Sequence, residues 1–315
     1  MIFTFKILTR TGVRSGCLAA ATALLLTMAL NFNDPRFAGA QETEGAQETE
    51  SEKTKEEILE YTTGGQSRES MANDSTASQW SFQIAYEARD WRDDILANGQ
   101  PRPEGTNNFW QFRFVAPLSP ERTGLPFPLL PRVTLRNEEA KNGTSGGGNA
   151  EIFVLGLPVD WGTGRWGIGP QINLPADSEQ FGTTAWRFGF ATAVLQRAMK
   201  DKVMFGILVQ QTWGETDPLR PDDIIAQPIS IQPVFNYALP QGYYLNIGET
   251  ALSYDWQADA WLVPVGLRFG KLFIKPESTW NLYVEYRTTV VYKDWPGSAL
   301  ENALRLNVSY TIPVK

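Results

Sequence analysis

Several charged side chains occur at alternate positions of segments whose other positions are apolar. Glu285 and Arg287 share one parity, while Val284 and Tyr286 take the other. A β-strand points successive side chains to opposite faces, so the two charges are predicted to lie on one polar face. The residues predicted on this basis to line a polar interior are Arg113, Arg187, Arg268, Tyr283, Glu285, Arg287 and Arg305.

These residues have two interpretations, which the sequence leaves open. In the first, the arginines and Glu285 line a permeation path and bias it electrostatically. In the second, they pair across a narrow interior and fill it. Tyr244, Tyr283 and Trp161 could add an aromatic track suited to apolar solutes, although ordinary packing and boundary roles explain each ring more simply.

The composition argues against enzymatic chemistry. The chain contains no histidine, which removes the Ser-His-Asp triad, the Cys-His pair and imidazole metal ligands. Carboxylate-based glycoside hydrolysis needs two facing acids, and only Glu285 is predicted to point inward. Neither the Gly162-x-Gly164 pair nor the glycines at 146–148 precede the lysine and helix of a phosphate loop. No catalytic residue, cofactor or metal is therefore predicted.

The N-terminus is typical of a secretory signal. Basic residues at positions 6, 10 and 14 precede an apolar stretch over 17–30, and Ala38-Gly39-Ala40 gives a small-x-small cleavage pattern. The apolar stretch is shorter than the roughly 20 residues that a spanning helix needs. We therefore predict a cleaved signal peptide over 1–40.

The mature chain is predicted to be acidic. The full chain has 28 basic and 35 acidic residues; cleavage removes four of the former and one of the latter, leaving 24 and 34 and a formal charge of −10. This sign disfavours nucleic-acid binding. Residues 41–78 are rich in Glu, Thr and Ser and poor in apolar residues, so we predict a disordered periplasmic tail there, either a spacer or a partner-binding segment.

Strand patterns follow from Trp80 onward. Apolar and polar residues alternate, and Gly or Pro marks most connections, including tight turns at Lys200-Asp201 and 240–242. The predicted strands cover 80–86, 109–116, 132–136, 152–159, 165–174, 184–198, 202–213, 227–239, 242–256, 261–274, 279–292 and 301–313.

Twelve amphipathic strands could form either a soluble sandwich or a membrane barrel. Tryptophan and tyrosine at the ends of the apolar faces, as at Trp186, Trp213, Trp256 and Trp280, are typical of the lipid–water boundary. The opposite faces carry Gly, Ser, Asn, Gln and Arg, which suits a hydrated interior. An up-and-down order allows closure without the free edges that lipid does not tolerate. These features favour the membrane barrel.

Five ordered segments resemble an outer-membrane family named for the meta-pathway of phenol degradation. They are Gly167–Pro175, Trp186–Leu195, Leu208–Trp213, Gln232–Asn246 and Val263–Lys271. The resemblance covers roughly residues 80–315. It implies an outer-membrane barrel that serves as a channel for hydrophobic or aromatic compounds, with no established catalytic residues.

The expected protein is all-β: a single antiparallel up-and-down transmembrane β-barrel of about 12 strands over 79–315. It is expected in a bacterial outer membrane as a channel- or transporter-like barrel. The alternative is a structural or interaction barrel with a plugged lumen and a partner-binding N-terminal tail. Expected partners are outer-membrane lipid, the barrel assembly machinery and small apolar or aromatic solutes.

Overall fold

The computed structural model describes residues 66–74, 76–96, 99–102, 105–140, 143–215 and 224–314. The predicted signal peptide and residues 41–65 of the predicted tail lie outside these residues. Within these ranges the structure has two short α-helices, α1 (Arg68–Asn73) and α2 (Pro120–Thr123), and one 3-10 turn at Pro240–Gly242. No helix among the described residues is long and apolar enough to cross a membrane.

Fifteen strand segments form one antiparallel sheet. They are β1 (Gln79–Trp91), β2 (Gly105–Val115), β3 (Leu129–Glu139), β4 (Ser145–Gly147), β5 (Ala150–Asp160), β6 (Gly164–Leu174), β7 (Arg187–Ala198), β8 (Val203–Glu215), β9 (Ile224–Ala226), β10 (Ile229–Ala238), β11 (Tyr243–Asn246), β12 (Leu252–Asp255), β13 (Ala260–Ile274), β14 (Thr279–Val291) and β15 (Leu300–Pro313).

These segments make twelve barrel strands, because three pairs act as one interrupted strand each. β4 and β5 both pair with β3, β9 and β10 both pair with β8, and β11 and β12 both pair with β13. Each strand otherwise pairs with its neighbours in sequence, and β15 closes the sheet onto β1 in a register that runs from Gln79↔Pro313 to Trp91↔Leu300. The predicted all-β, closed, up-and-down barrel of twelve strands is confirmed.

The apolar faces of the strands cover the outside of the barrel. Phe188, Leu267 and Leu304 are 57%, 57% and 46% exposed, whereas core side chains of a soluble protein would be buried. On β13 the outward face runs from Trp261 to Phe273, about 40 Å along the strand, or about 30 Å along the axis at a tilt of about 40°. That height covers the roughly 25 Å apolar band of a membrane barrel together with its flanking aromatic rings, and the closed sheet excludes the soluble sandwich.

Aromatic pairs mark both edges of the apolar band. At one edge Trp280 contacts Tyr310, with ring centroids 4.9 Å apart, and Trp80 lies 5.7 Å from Phe114. At the other edge the rings of residues 254, 256 and 261 form a cluster with centroids 4.8–5.0 Å apart. These rings place both lipid–water boundaries on the barrel, as the sequence predicted.

The two ends of the barrel differ in their connections. One end, called here the short-turn end, carries the turns at 161–163, 199–202, 239–242 and 275–278, the longer 116–128 loop, and the start of β1. The predicted tight turns at Lys200-Asp201 and at 240–242 are both present there. The opposite end carries the loops 92–104, 175–186 and 292–299. Short turns face the periplasm in barrels of the bacterial outer membrane.

The prediction of a disordered tail is wrong for residues 66–74 and 76–78. Ser67 caps α1, and its backbone N–H donates to Asp201 Oδ2 at 2.8 Å. Gln66, Arg68 and Met71 are at most 3% exposed, because the segment lies inside the short-turn end of the barrel. A polar segment can be buried there because the surrounding walls are polar as well.

Candidate functional site

The middle of the barrel interior holds arginine and glutamate side chains from five consecutive strands, β13, β14, β15, β1 and β2, and from the turn between β11 and β12. We call this set the network. It consists of Glu87 on β1, Arg113 on β2, Glu249 between β11 and β12, Arg268 on β13, Glu285 and Arg287 on β14, and Arg305 on β15. Their side chains are 0–18% exposed, so every charge in the network depends on partners of opposite sign.

Glu249 joins opposite sides of the barrel. Its two carboxylate oxygens accept hydrogen bonds from Nη1 and Nη2 of Arg113 at 2.7 and 3.1 Å, the two-pronged geometry that binds carboxylates best. Arg305 donates to the same carboxylate at 3.2 Å, and Arg268 Nη2 lies 3.7 Å from it. One carboxylate is therefore shared by three guanidinium groups.

A break in the predicted 242–256 strand places Glu249 in this position. β11 ends at Asn246, whose side-chain oxygen accepts the N–H of Gly248 at 2.6 Å and so forms a local turn. Gly248 has a φ of +79°, and a Cβ built there would lie 2.8 Å from Cδ of Glu285. Only glycine fits this close approach without strain. The turn sends Glu249 inward before pairing resumes in β12.

Glu285 is the most deeply buried acid of the network. Its Oε2 accepts hydrogen bonds from Nε and Nη2 of Arg268 at 2.8 and 2.6 Å. Its Oε1 lies 3.2 Å from Nε of Arg287 and accepts the backbone N–H of Glu249 at 3.0 Å. Glu285 therefore holds Arg268, Arg287 and the turn at 246–249 in place.

Glu87 closes the network on the β1 side. Its Oε2 accepts a hydrogen bond from Arg305 at 3.3 Å and also pairs with Nη2 of Arg287. Arg287 donates in addition to the backbone carbonyl of Glu249 at 3.0 Å. These contacts link β1, β14 and β15 to the turn that carries Glu249, and the Glu249–Arg113 pair extends the network across the lumen to β2.

Further charged side chains extend the polar interior. Arg132 donates to Glu151 at 2.8 Å, and the other oxygen of Glu151 accepts from Gln210 at 3.0 Å. Arg89 pairs with Glu138. Together with Arg136, which lies on the same face of β3 as Arg132, these residues and the network form a set of seven arginines and five glutamates above the short-turn end. Its formal excess of two positive charges opposes the acidic character of the chain.

Residues 66–74 and 76–78 occupy the lumen on the short-turn side. Arg68 donates to the carbonyls of Lys275 and Pro276 at 2.5 and 2.7 Å and to Oγ1 of Thr279 at 3.1 Å. On the opposite wall, Arg165 donates to Gln66 Oε1 at 2.8 Å and to the carbonyl oxygen of residue 76 at 2.9 Å. The segment is thereby tied to two sides of the barrel.

A cavity of about 100 Å³ lies between this segment and the network. Asn73 and Ala77 line one side, and Arg113, Glu249 and Arg268 line the other. The remaining wall includes apolar groups and the ring of a buried tyrosine: Val115, Leu208, Val234 and Tyr283. The cavity therefore has charged and apolar surfaces facing the same space.

The structure brings together six of the seven residues predicted for the interior. Five of them, at positions 113, 268, 285, 287 and 305, belong to the network, and Tyr283 contacts it through the guanidinium of Arg268, which lies 3.9 Å from the ring centroid. Arg187 is separate: it begins β7 at the end opposite the short turns and bonds to Thr183. Tyr244 is buried and donates to Asn281 at 2.8 Å, whereas Trp161 lies 45% exposed outside the lumen.

Sequence reasoning missed four functional candidates. Glu87 was overlooked because the predicted first strand ended at Tyr86, although Ser81 and Ala85 share its parity. Arg132 begins the predicted 132–136 strand and Glu151 directly precedes the predicted 152–159 strand, and the alternation of inward and outward side chains is least certain at strand ends. No sequence pattern around Glu249 indicated that its side chain points inward, since the turn that carries it depends on contacts with Glu285. The expectation that Glu285 is the only inward acid is wrong, and every glutamate of the network is paired with arginine.

Comparison with known proteins gives structural matches. No family model matches the chain, and a search of curated proteins finds no significant match. The crystal structure of an outer-membrane channel from Pseudomonas putida F1 aligns with a TM-score of 0.53 and 14% identity, covering 76% of this chain and 97% of that one. This similarity establishes a shared fold.

Two further barrels align less well. Outer membrane phospholipase A from Escherichia coli has a TM-score of 0.40 and 13% identity, covering 80% of this chain and 98% of that one. The CymD monoaromatic hydrocarbon channel has a TM-score of 0.36 and 9% identity, covering 82% and 96%. Neither similarity is high enough to support a functional argument.

Proposed function

We propose that this protein is an outer-membrane channel that admits small apolar or aromatic compounds. The observation that carries the proposal is the cavity inside a closed barrel, where Val115, Leu208, Val234 and the Tyr283 ring face charged groups of the network. Small-molecule sites typically combine such apolar walls with a few convergent polar groups. The fold shared with an outer-membrane channel supports the same class.

The outer-membrane location follows from the same features. A closed sheet with an apolar exterior satisfies its backbone groups internally, which is what lipid requires. An export signal over 1–40 would deliver the chain to the periplasm, where the barrel assembly machinery would insert it. The interior side chains that the structure describes form ion pairs and hydrogen bonds with one another, and we propose no enzymatic activity.

Two groups of side chains must move before a solute can pass through the lumen. Residues 66–74 and 76–78 occupy the lumen at the short-turn end, and the network crosses its middle. We infer that the helix segment is the more readily displaced of the two, because α1 has only six residues and is tied to the wall by a few side chains. The network is held by charge-assisted bonds on all sides.

Ion current through planar bilayers tests this proposal. A solute that enters the lumen interrupts the current, so phenol or benzyl alcohol is expected to produce discrete blocking events. Arg68→Ala is expected to raise the conductance, because it removes three hydrogen bonds that hold α1 in the lumen. Arg122→Ala, in the exposed helix α2, is the matched control and should leave the conductance unchanged.

The alternative is a structural barrel whose lumen stays filled and whose tail binds a partner. The density of ion pairs in the network favours this alternative. It predicts that neither the wild-type protein nor Arg68→Ala carries current that aromatic solutes interrupt. It also predicts that deletion of 41–65 abolishes capture of an envelope partner while the barrel still folds. Blocking events in either protein would exclude it.

A further inference from the structure

We propose that Lys271 and Tyr243, on the outer wall of the barrel, bind the phosphate group of a phospholipid in the periplasmic leaflet of the membrane. The two residues lie directly opposite each other on β13 and β11. This inference goes beyond the proposed function, because it concerns the lipid-facing surface and does not depend on the passage of a solute through the lumen.

Lys271 lies on the lipid-facing side of β13, close to the boundary at the short-turn end. It shares this side of the strand with Phe269, which is 46% exposed, and with Phe273. Phe273 pairs with Trp280, whose ring marks that boundary. Lys271 lies two residues from Phe273, about 7 Å along the strand towards the midplane. The four-carbon stem of a lysine at this depth can carry its ammonium group back to the boundary.

The charge of Lys271 has no counter-ion within the part of the chain that the structure describes. Among the outward strand positions of that part, Lys271 is the only lysine or arginine. Its Nζ contacts aromatic rings and no carboxylate, at 4.5 Å from the ring centroid of Tyr243 and 5.2 Å from that of Phe273. A positive charge on the lipid face is costly at the midplane and is tolerated near the boundary, where anionic head groups attract it.

The ammonium group and the tyrosine hydroxyl present hydrogen-bond donors side by side. Nζ of Lys271 donates to Oη of Tyr243 at 3.1 Å, which leaves two of its three N–H groups for another acceptor. The hydroxyl accepts this bond and keeps its own O–H to donate. The oxygens of one phosphate group can accept from both side chains at once, and lysine binds phosphate as a point charge.

The surface next to these donors fits acyl chains. The ring of Tyr243 stacks on that of Phe269, with centroids 5.6 Å apart, and Leu267 follows towards the midplane with 57% of its surface exposed. A phospholipid that lies along this wall places its phosphate at the boundary and its chains over Phe269 and Leu267. This continuity of polar and apolar surface favours a lipid over a free phosphate ion.

Native mass spectrometry of the purified protein in detergent micelles tests this inference by counting bound lipids. Phosphatidylglycerol and a diacylglycerol with the same acyl chains are the two probes, since only the first carries a phosphate. Lys271→Met should weaken the tightest binding of phosphatidylglycerol about fivefold, the contribution of one lysine near a lipid surface, and leave the binding of diacylglycerol unchanged. Lys293→Met, in an exposed loop at the opposite end, is the matched control and should change neither.

Two further variants and a competitor define the chemistry of the site. Tyr243→Phe removes the hydroxyl and should weaken the binding of phosphatidylglycerol about threefold, within the range of one hydrogen bond. Lys271→Arg keeps the positive charge and should retain most of the binding. Glycerol phosphate carries the head-group phosphate without acyl chains, so it should not displace the lipid at equal concentration.

Three results would overturn the inference. Equal affinities of Lys271→Met and Lys293→Met for phosphatidylglycerol would show that the lysine does not bind lipid. Displacement of the lipid by glycerol phosphate would assign the site to a free anion. A dimer mass that disappears in Lys271→Met would assign the lysine to a contact between two copies of the chain. Heat-modifiable migration on detergent gels verifies that each variant is folded, and none of these results bears on the channel function.

Discussion

The Glu285→Gln substitution tests whether the network holds the barrel together. Glu285 has a fully buried side chain and engages Arg268 through two hydrogen bonds at 2.6 and 2.8 Å and Arg287 at 3.2 Å. Glutamine keeps the volume but removes the charge, so two buried guanidinium groups lose their closest carboxylate. Breaking a buried pair by removing one partner costs about 3–5 kcal/mol. We expect a loss of that size in the free energy of unfolding.

Urea titration of the refolded protein in detergent micelles measures this loss. With an m-value of about 3 kcal/mol/M, the urea midpoint should fall by about 1 M or more. Glu301→Gln, an exposed acid at the start of β15, is the control and should change stability by less than about 0.5 kcal/mol. The double variant Glu285→Gln/Arg268→Gln should recover part of the loss, with a coupling energy of about 1–3 kcal/mol.

Equal midpoints for Glu285→Gln and Glu301→Gln would refute this reasoning. Such a result would mean that water solvates the arginines as well as the carboxylate does. Additive losses in the double variant would likewise show that Glu285 and Arg268 do not depend on each other.

Two further predictions concern backbone geometry and the lipid-facing wall. Gly248→Ala should destabilise the barrel more than Gly162→Ala in the same urea titration, because both glycines have positive φ but only the first approaches Glu285; equal losses would contradict this. Leu267→Arg on the outer face should cost about 2–4 kcal/mol in lipid vesicles, whereas Glu277→Arg in an exposed turn should cost almost nothing. A tolerated arginine at position 267 would mean that this face does not meet hydrocarbon.

The barrel could be predicted well from the sequence because lipid strongly limits which side chains of a strand can face outward. A charged side chain on the outer face costs several kcal/mol at the midplane, so Arg113, Arg268 and Arg305 had to point inward. Alternation over a whole strand therefore fixed both the fold and most of the interior side chains. The same rule would have found Glu87 if the first strand had been extended beyond Tyr86.

Contacts between distant segments explain what the sequence could not provide. Glu249 lies in a stretch that alternates like a strand, and its inward turn forms only because Gly248 and Glu285 meet there. The segment from Gln66 to Ser78 was predicted to be disordered because it contains few apolar residues. That criterion assumes an apolar core, but the interior of this barrel is polar and binds Arg68 and Gln66 through hydrogen bonds.

Spin-label accessibility along β15 tests the central claim, that the apolar faces meet lipid and the polar faces enclose the network. Nitroxide labels are placed at residues 303, 304, 306, 307, 308 and 309 of the protein in lipid vesicles. Collisions with oxygen, which concentrates in hydrocarbon, should be frequent at Leu304, Leu306 and Val308 and rare at Ala303, Asn307 and Ser309. Uniform accessibility, or the opposite alternation, would contradict the account.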